Sequence, residues 1–164
     1  MMNGGFTQIL AMILAALLVW AAIVDLRTRT IPDWLNIVVA VMAPLFWWAS
    51  GIAFYPDAIE RVCGAFLIFT VFFGMFWAGG MGGGDVKLGS AIGLWFAPLA
   101  TLQFFIVTSL AGGFVSIGAW IYHHKIRRLE GKTEVPYGVA IAFGGLWLLA
   151  QRFLNQFAGM SAGI

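Results

Sequence analysis

"VCGAFLIFTVFFGMFWAGGMGGGDVKLG", residues Val62 to Gly89, runs without a charge from Val62 to Ala78 and then places one aspartate behind a cluster of glycines. A helix needs about 20 apolar residues to cross the hydrocarbon core of a bilayer. The stretch therefore reads as a membrane span that delivers an acid, Asp85, to the membrane edge. The rest of the chain agrees with that reading. Of its 164 residues 62% are hydrophobic and 10% charged, and the mean hydropathy is +0.93, which excludes an ordinary soluble domain. A net charge of +2 is too small to point to nucleic acid as a partner.

Six apolar stretches mark out an all-α membrane protein of about six transmembrane helices: Phe6 to Val24, Trp34 to Ser50, Val62 to Ala78, Leu88 to Ala100, Leu102 to Tyr122, and Tyr137 to Phe153. The fourth is short and is closed by Pro98, so a thin, tilted or re-entrant segment is expected there. The first run lacks a basic leader and is longer than a signal core, so a retained span is expected rather than a cleaved signal. No repeat or linker divides the chain, and residues 1–164 read as a single membrane-embedded domain.

Charge placement orients the spans. With the N-terminus outside, one side carries Arg27, Arg29, Lys87, Lys125, Arg127, Arg128 and Lys132, and the other only Arg61 and Arg152. The positive-inside rule then puts the glycine-rich turn in the cytoplasm and both termini outside. Trp34 and Trp77 fall at the expected inner boundary and Trp47 and Trp48 at the outer one, as interfacial aromatics do. The basic stretch from His123 to Glu134 reads as an orienting, headgroup-facing loop. "GSAIG", Gly89 to Gly93, has the spacing that lets two helices approach closely.

Asp25, in "AAIVDLRTRTIPDWLN", ends the first span, and Asp85 follows the third, so the assigned topology puts both at one membrane boundary. Two carboxylates at one depth suit aspartyl proteolysis: one activates a water against a peptide carbonyl while the other, protonated, donates to the carbonyl oxygen. Such a pair shares a proton and titrates as a unit. The glycines Gly82, Gly83 and Gly84 would form a flexible substrate-facing loop with access to positive φ. A plainer alternative pairs Asp25 with Arg27 or Arg29, and Asp85 with Lys87. His123 and His124 lack the company of a metal site, and the single Cys63 cannot form a CxxC pair, so neither metal nor cofactor is expected.

"GGGD", Gly82 to Asp85, fits the GxGD signature of intramembrane aspartyl proteases. "DLRTRTIPDWLN" after the first span, "MGGGDVKL" after the third and "VPYGVAIAFGG" at the last together resemble the type IV prepilin peptidases. The resemblance implies that Asp25 and Asp85 are the catalytic pair and that Gly82, Gly83, Gly84 and Lys87 belong to the motif around them. It implies a bacterial inner-membrane endopeptidase, active site toward the cytoplasm, that removes the basic leader of a prepilin after a glycine. The substrate partner would be that leader with its apolar helix. Larger members carry an insert with paired CxxC motifs, associated with methylation. With one cysteine, this chain resembles the compact Flp/Tad-type form and is expected to be a peptidase without methyltransferase activity; archaeal preflagellin peptidases are a nearby form. Asp33 stands where that family often has asparagine, as a further acid near the pair or as the cap of the second helix. A small proton-coupled transporter and a non-catalytic pilus-assembly subunit are the competing readings. The first would need acids deep within the spans.

Overall fold

A computed structural model describes residues 4–121 and 135–161 of the chain. Within them the backbone folds into six α-helices, α1 (Gly4–Thr28), α2 (Asp33–Ser50), α3 (Ile59–Trp77), α4 (Gly83–Gly93), α5 (Pro98–Ile121) and α6 (Tyr137–Ser161), with a short π-helical segment, Phe54–Ala58, leading into α3. Five segments are long and apolar enough to cross a membrane: α1, α2, Phe54–Trp77, Pro98–Ala119 and Tyr137–Asn155. The expectation of an all-α membrane protein therefore holds, with one revision to the count. The fourth apolar stretch contributes only its beginning to α4, a helix of 11 residues, about 16 Å long at 1.5 Å per residue, against a core of about 30 Å. The break also falls earlier than Ala100. Pro98 opens α5 instead of closing the helix before it, because a proline costs little in a first turn, where its missing N–H would have no partner.

The bundle is apolar outside as well as inside. Leu14, Leu18, Leu35, Val39, Leu88 and Ile141 are fully buried, while Phe66, Trp77 and Phe114 are widely exposed. A soluble helix would put polar residues on that outer face; a bilayer takes apolar ones. Between apolar helices in lipid, close packing and hydrogen bonding replace the aqueous driving force. α4 shows both. Around Gly93 a Cβ would stand 2.9 Å from the Ala65 Cα, and at Gly89 it would strike the Phe72 ring, so the GSAIG glycines let α4 seat directly on α3. Two indole N–H groups tie it to α2: Trp95 Nε1 donates to the Val39 carbonyl at 3.0 Å, and Trp47 Nε1 to the Leu94 carbonyl at 2.8 Å. Trp95 is thus a buried packing residue.

Helix directions follow from the same contacts. Gly145 and Gly138 of α6 meet Leu18 and Asp25 of α1, so these two helices run antiparallel. Thr7 Oγ1, near the start of α1, donates to the Ala49 carbonyl at the end of α2. Gly84 and Lys87 of α4 meet Asn36 and Asp33 of α2, whereas the end of α4 meets Arg61 at the start of α3. The end of α1 and the starts of α2, α4 and α6 are thereby brought to one end of the bundle.

Candidate active site

Asp25 lies in the last turns of α1 and Asp85 in the first turn of α4, and both are buried, at 3% and 6% exposure. The two carboxylates are within electrostatic reach of one another. Each keeps one oxygen, Asp25 Oδ2 and Asp85 Oδ1, buried without a hydrogen-bond partner. Leaving a carboxylate oxygen buried and unpaired is costly, and such atoms are rare in folded interiors.

Local structure explains each position. Gly82 caps α4 in an extended conformation (φ −78°, ψ 149°), and its backbone N–H donates to Asp85 Oδ2 at 3.2 Å. This is one half of a capping box, since a glycine has no side chain to offer the other half. Asp85 is therefore fixed on a helix turn and not carried on a loose loop. The expectation that Gly82, Gly83 and Gly84 use positive φ fails as well: in this region Gly79, which ends α3, is the glycine that does so, at φ 70°. At Gly84 the requirement is space. A Cβ there would come within 2.9 Å of the Ile31 carbonyl oxygen and 3.1 Å of the Ile31 Cβ.

Asp25 is served from the other side by α6. The backbone amides of Gly138 and Val139, in the first turn of that helix, act on its carboxylate, as does the charge of Arg29. A helix N-terminus offers free N–H groups and a positive dipole end to such a group. Gly138 is pressed so closely that a Cβ would fall 2.8 Å from Asp25 Oδ2 and 2.8 Å from Ile31 Cδ1. Ile31, buried in the α1–α2 link, thus wedges between Gly84 and Gly138 beside the pair.

The pairing of Asp85 with Lys87 does not form. Lys87 Nζ bonds instead to Asp33 Oδ1 at 2.7 Å, an exposed ion pair linking α4 to α2. Asp33 does not cap α2; Pro32 occupies that position and Asp33 begins the helix. Arg29 is the arginine that acts on Asp25. Burial, and then the charge of Asp25, push the Asp85 carboxyl up to about 7, while the Gly82 amide opposes the rise. Asp85 therefore holds a proton under conditions that would ionise an exposed aspartate.

The sequence pattern did not single out Ile31 or Asn36 as neighbours of the pair. Asn36 is buried and donates from Nδ2 to the Gly84 carbonyl at 3.4 Å, steadying the glycine turn, while its Oδ1 has no partner. Its signal was a lone amide in the apolar run of the second span. Among the described residues no group of three or more His, Cys, Asp or Glu side chains converges as a metal site would require. His123, His124, Glu130 and Glu134 lie outside the described residues.

A buried, coupled carboxylate pair at one end of an apolar helical bundle defines a multi-pass membrane protein with a site suited to acid–base chemistry. Residues 12–117 match the type IV leader peptidase family, and the chain belongs to that family. It is 29% identical over 151 residues to the prepilin leader peptidase/N-methyltransferase of Aeromonas hydrophila, covering 88% of this chain and 49% of that protein. It is 28% identical over 149 residues to the type 4 prepilin-like proteins leader peptide-processing enzyme of Escherichia coli O78:H11, covering 82% of this chain and 49% of that protein. A third relative, the prepilin leader peptidase/N-methyltransferase of Xanthomonas campestris pv. campestris, is 27% identical over 149 residues. The chain spans about half the length of these curated relatives. No solved structure gives a significant match.

Proposed function

We propose that the chain is a membrane aspartyl endopeptidase that removes the basic leader of a type IV prepilin, with Asp25 and Asp85 as its catalytic pair. The observation that carries the reading is that two buried carboxylates within reach of each other each retain an unpartnered oxygen. Those oxygens are the groups that would hold the attacking water. Asp85, which keeps its proton to about pH 7, enters as the acid, and Asp25, steadied by the α6 amides, as the base. Asp25 takes a proton from the water as its oxygen bonds to the scissile carbonyl carbon, and Asp85 gives its proton to the carbonyl oxygen. The tetrahedral intermediate then collapses, the C–N bond breaks, and the departing amine takes up a proton from the pair.

The finer reading is a peptidase of the Flp/Tad type in a bacterial inner membrane, with the carboxylate end of the bundle toward the cytoplasm. Support for that orientation is the basic residue bias toward this end, where Arg27, Arg29 and Lys87 lie. Cleavage after a glycine is carried over from the family resemblance. Peptidase activity without methylation is likewise carried over from the resemblance to the compact form. A proton-coupled carrier would want its acids midway along the spans, and here they sit together at one end.

The test is co-expression with an Flp-type prepilin, followed by a mobility shift and N-terminal sequencing of the product. Asp25→Asn and Asp85→Asn should each abolish cleavage while Asp57→Asn, near the opposite end, leaves it intact. Cleavage that survives either inner substitution in a correctly inserted protein rejects the dyad.

A further inference from the structure

The end of the bundle away from the carboxylates holds the two basic residues that charge counting assigned to the minority side. Arg61, in the first turn of α3, and Arg152, in α6, lie far apart in sequence. In the fold they line one cavity of about 490 Å³, with Gln103, Gln151 and Asn155. The two guanidinium groups are within electrostatic reach of each other. Arg152 stacks its guanidinium over the Phe46 ring, 4.6 Å from the centroid. Arg61 donates from Nη1 to the Trp95 carbonyl at 2.8 Å, and its Nε is buried without a partner.

Neither arginine has a carboxylate at ion-pair distance among the described residues. Asp57 and Glu60 act on Arg61 only from farther off. Two like charges, partly buried in a low-dielectric surround, repel one another and have lost hydration. An anion between them would reverse both penalties. The guanidinium fork matches phosphate oxygens bidentately, and the three amides add neutral donors. The buried Trp95 and Phe96 give the same cavity an apolar wall.

We infer that the Arg61–Arg152 cavity is a binding site for a phosphate group, whether the diester of an anionic phospholipid headgroup or a free phosphate ion. The site stands apart from the carboxylate pair and does not depend on the peptidase reading.

Native mass spectrometry of the whole chain, released from detergent with equal amounts of phosphatidylglycerol and phosphatidylcholine, tests the site. Two arginines at a headgroup correspond to a preference of roughly thirtyfold for the anionic lipid. Arg61→Gln and Arg152→Gln should each lower it about fivefold, and Arg27→Gln, at the carboxylate end, should leave it unchanged. A parallel melt with inorganic phosphate separates the sources. Lipid preference lost in the variants assigns a headgroup; equal lipid retention with a phosphate-dependent rise in the wild-type melting temperature, absent from the variants, assigns the free ion. Should Arg152→Gln fail to fold, Arg61→Gln and Arg152→Lys decide, the latter keeping charge without the planar fork. The proposal is overturned if wild type responds to neither probe, or if folded variants respond as wild type does.

Discussion

Gly138→Ala is the substitution that most directly connects packing to chemistry. The added methyl carbon would lie 2.8 Å from Asp25 Oδ2, 2.9 Å from its Cγ and 2.8 Å from Ile31 Cδ1, where ordinary contact begins near 3.4 Å. Something must retreat by about 0.6 Å. Ile31 Cδ1 is the free end of its side chain and can turn away, but that relieves neither contact with Asp25. The displacement therefore falls on the Asp25 carboxylate, or on the start of α6 with the two amides that act on it. A misplacement of about 1 Å at a reacting group can cost about a hundredfold in rate, so roughly tenfold in kcat is expected here, with an overpacking penalty of about 1–3 kcal/mol. The assay is the initial rate of prepilin cleavage in proteoliposomes, read by mobility shift, alongside a melting temperature. Gly113→Ala is the control, since a Cβ there meets nothing within 4 Å. A folded Gly138→Ala enzyme with wild-type kcat would refute the geometry, as would an equal loss in the control.

The raised Asp85 carboxyl has two consequences. Its value moves from 3.8 unfolded to about 7 folded, so between those values the native state binds the proton that the unfolded chain releases, and stability falls as pH rises through the window. Asp85→Asn should thus melt close to wild type at pH 4 and several degrees higher at pH 8; equal melting temperatures at pH 8 would reject the buried charge. Cleavage should decline above about pH 7 as the pair loses its shared proton, and a rate still rising at alkaline pH would contradict the assigned acid. Gly93→Leu should disturb the α3–α4 seat, where a Cβ already meets the Ala65 Cα at 2.9 Å. A destabilisation of at least about 1–3 kcal/mol is expected, and an unchanged thermal midpoint would show that the contact is not needed.

Much of the fold was legible because long uncharged runs leave few alternatives: α1, α2, α3, α5 and α6 each cover most of an expected span. The fourth was misjudged at both ends, since the glycines that weaken an apolar signal between Gly82 and Gly93 are the residues that let the helix pack. Proline was read as a terminator at Pro98, where the first turn of α5 accepts it. At the site, the acids were legible by type and by position at span ends. Their neighbours were not. That Ile31 would fill the space beside Gly84 and Gly138, or that Lys87 would choose Asp33 over Asp85, depends on how three helix ends meet. Local spacing carries no record of such a meeting.

The distribution of unsatisfied polar atoms links these regions. Among the described residues, buried side-chain atoms without partners occur at Asp25, Asn36 and Asp85 around the carboxylates, at Ser50 and Arg61 toward the other end, and at Thr108 along α5. Elsewhere the interior satisfies its polar groups: both Trp47 and Trp95 reach carbonyls, and Thr7 and Thr101 do the same. An apolar bundle with little aqueous driving force tolerates few such deficits. Their concentration at the two ends matches the two places where a catalytic pair and a phosphate cavity are proposed. Substitution distinguishes this from poor packing. If Asp85→Asn stabilises the protein while abolishing cleavage, the deficit belongs to the reaction; if it destabilises at every pH, Asp85 is chiefly a cap for α4 and the cost must be sought in the helix itself.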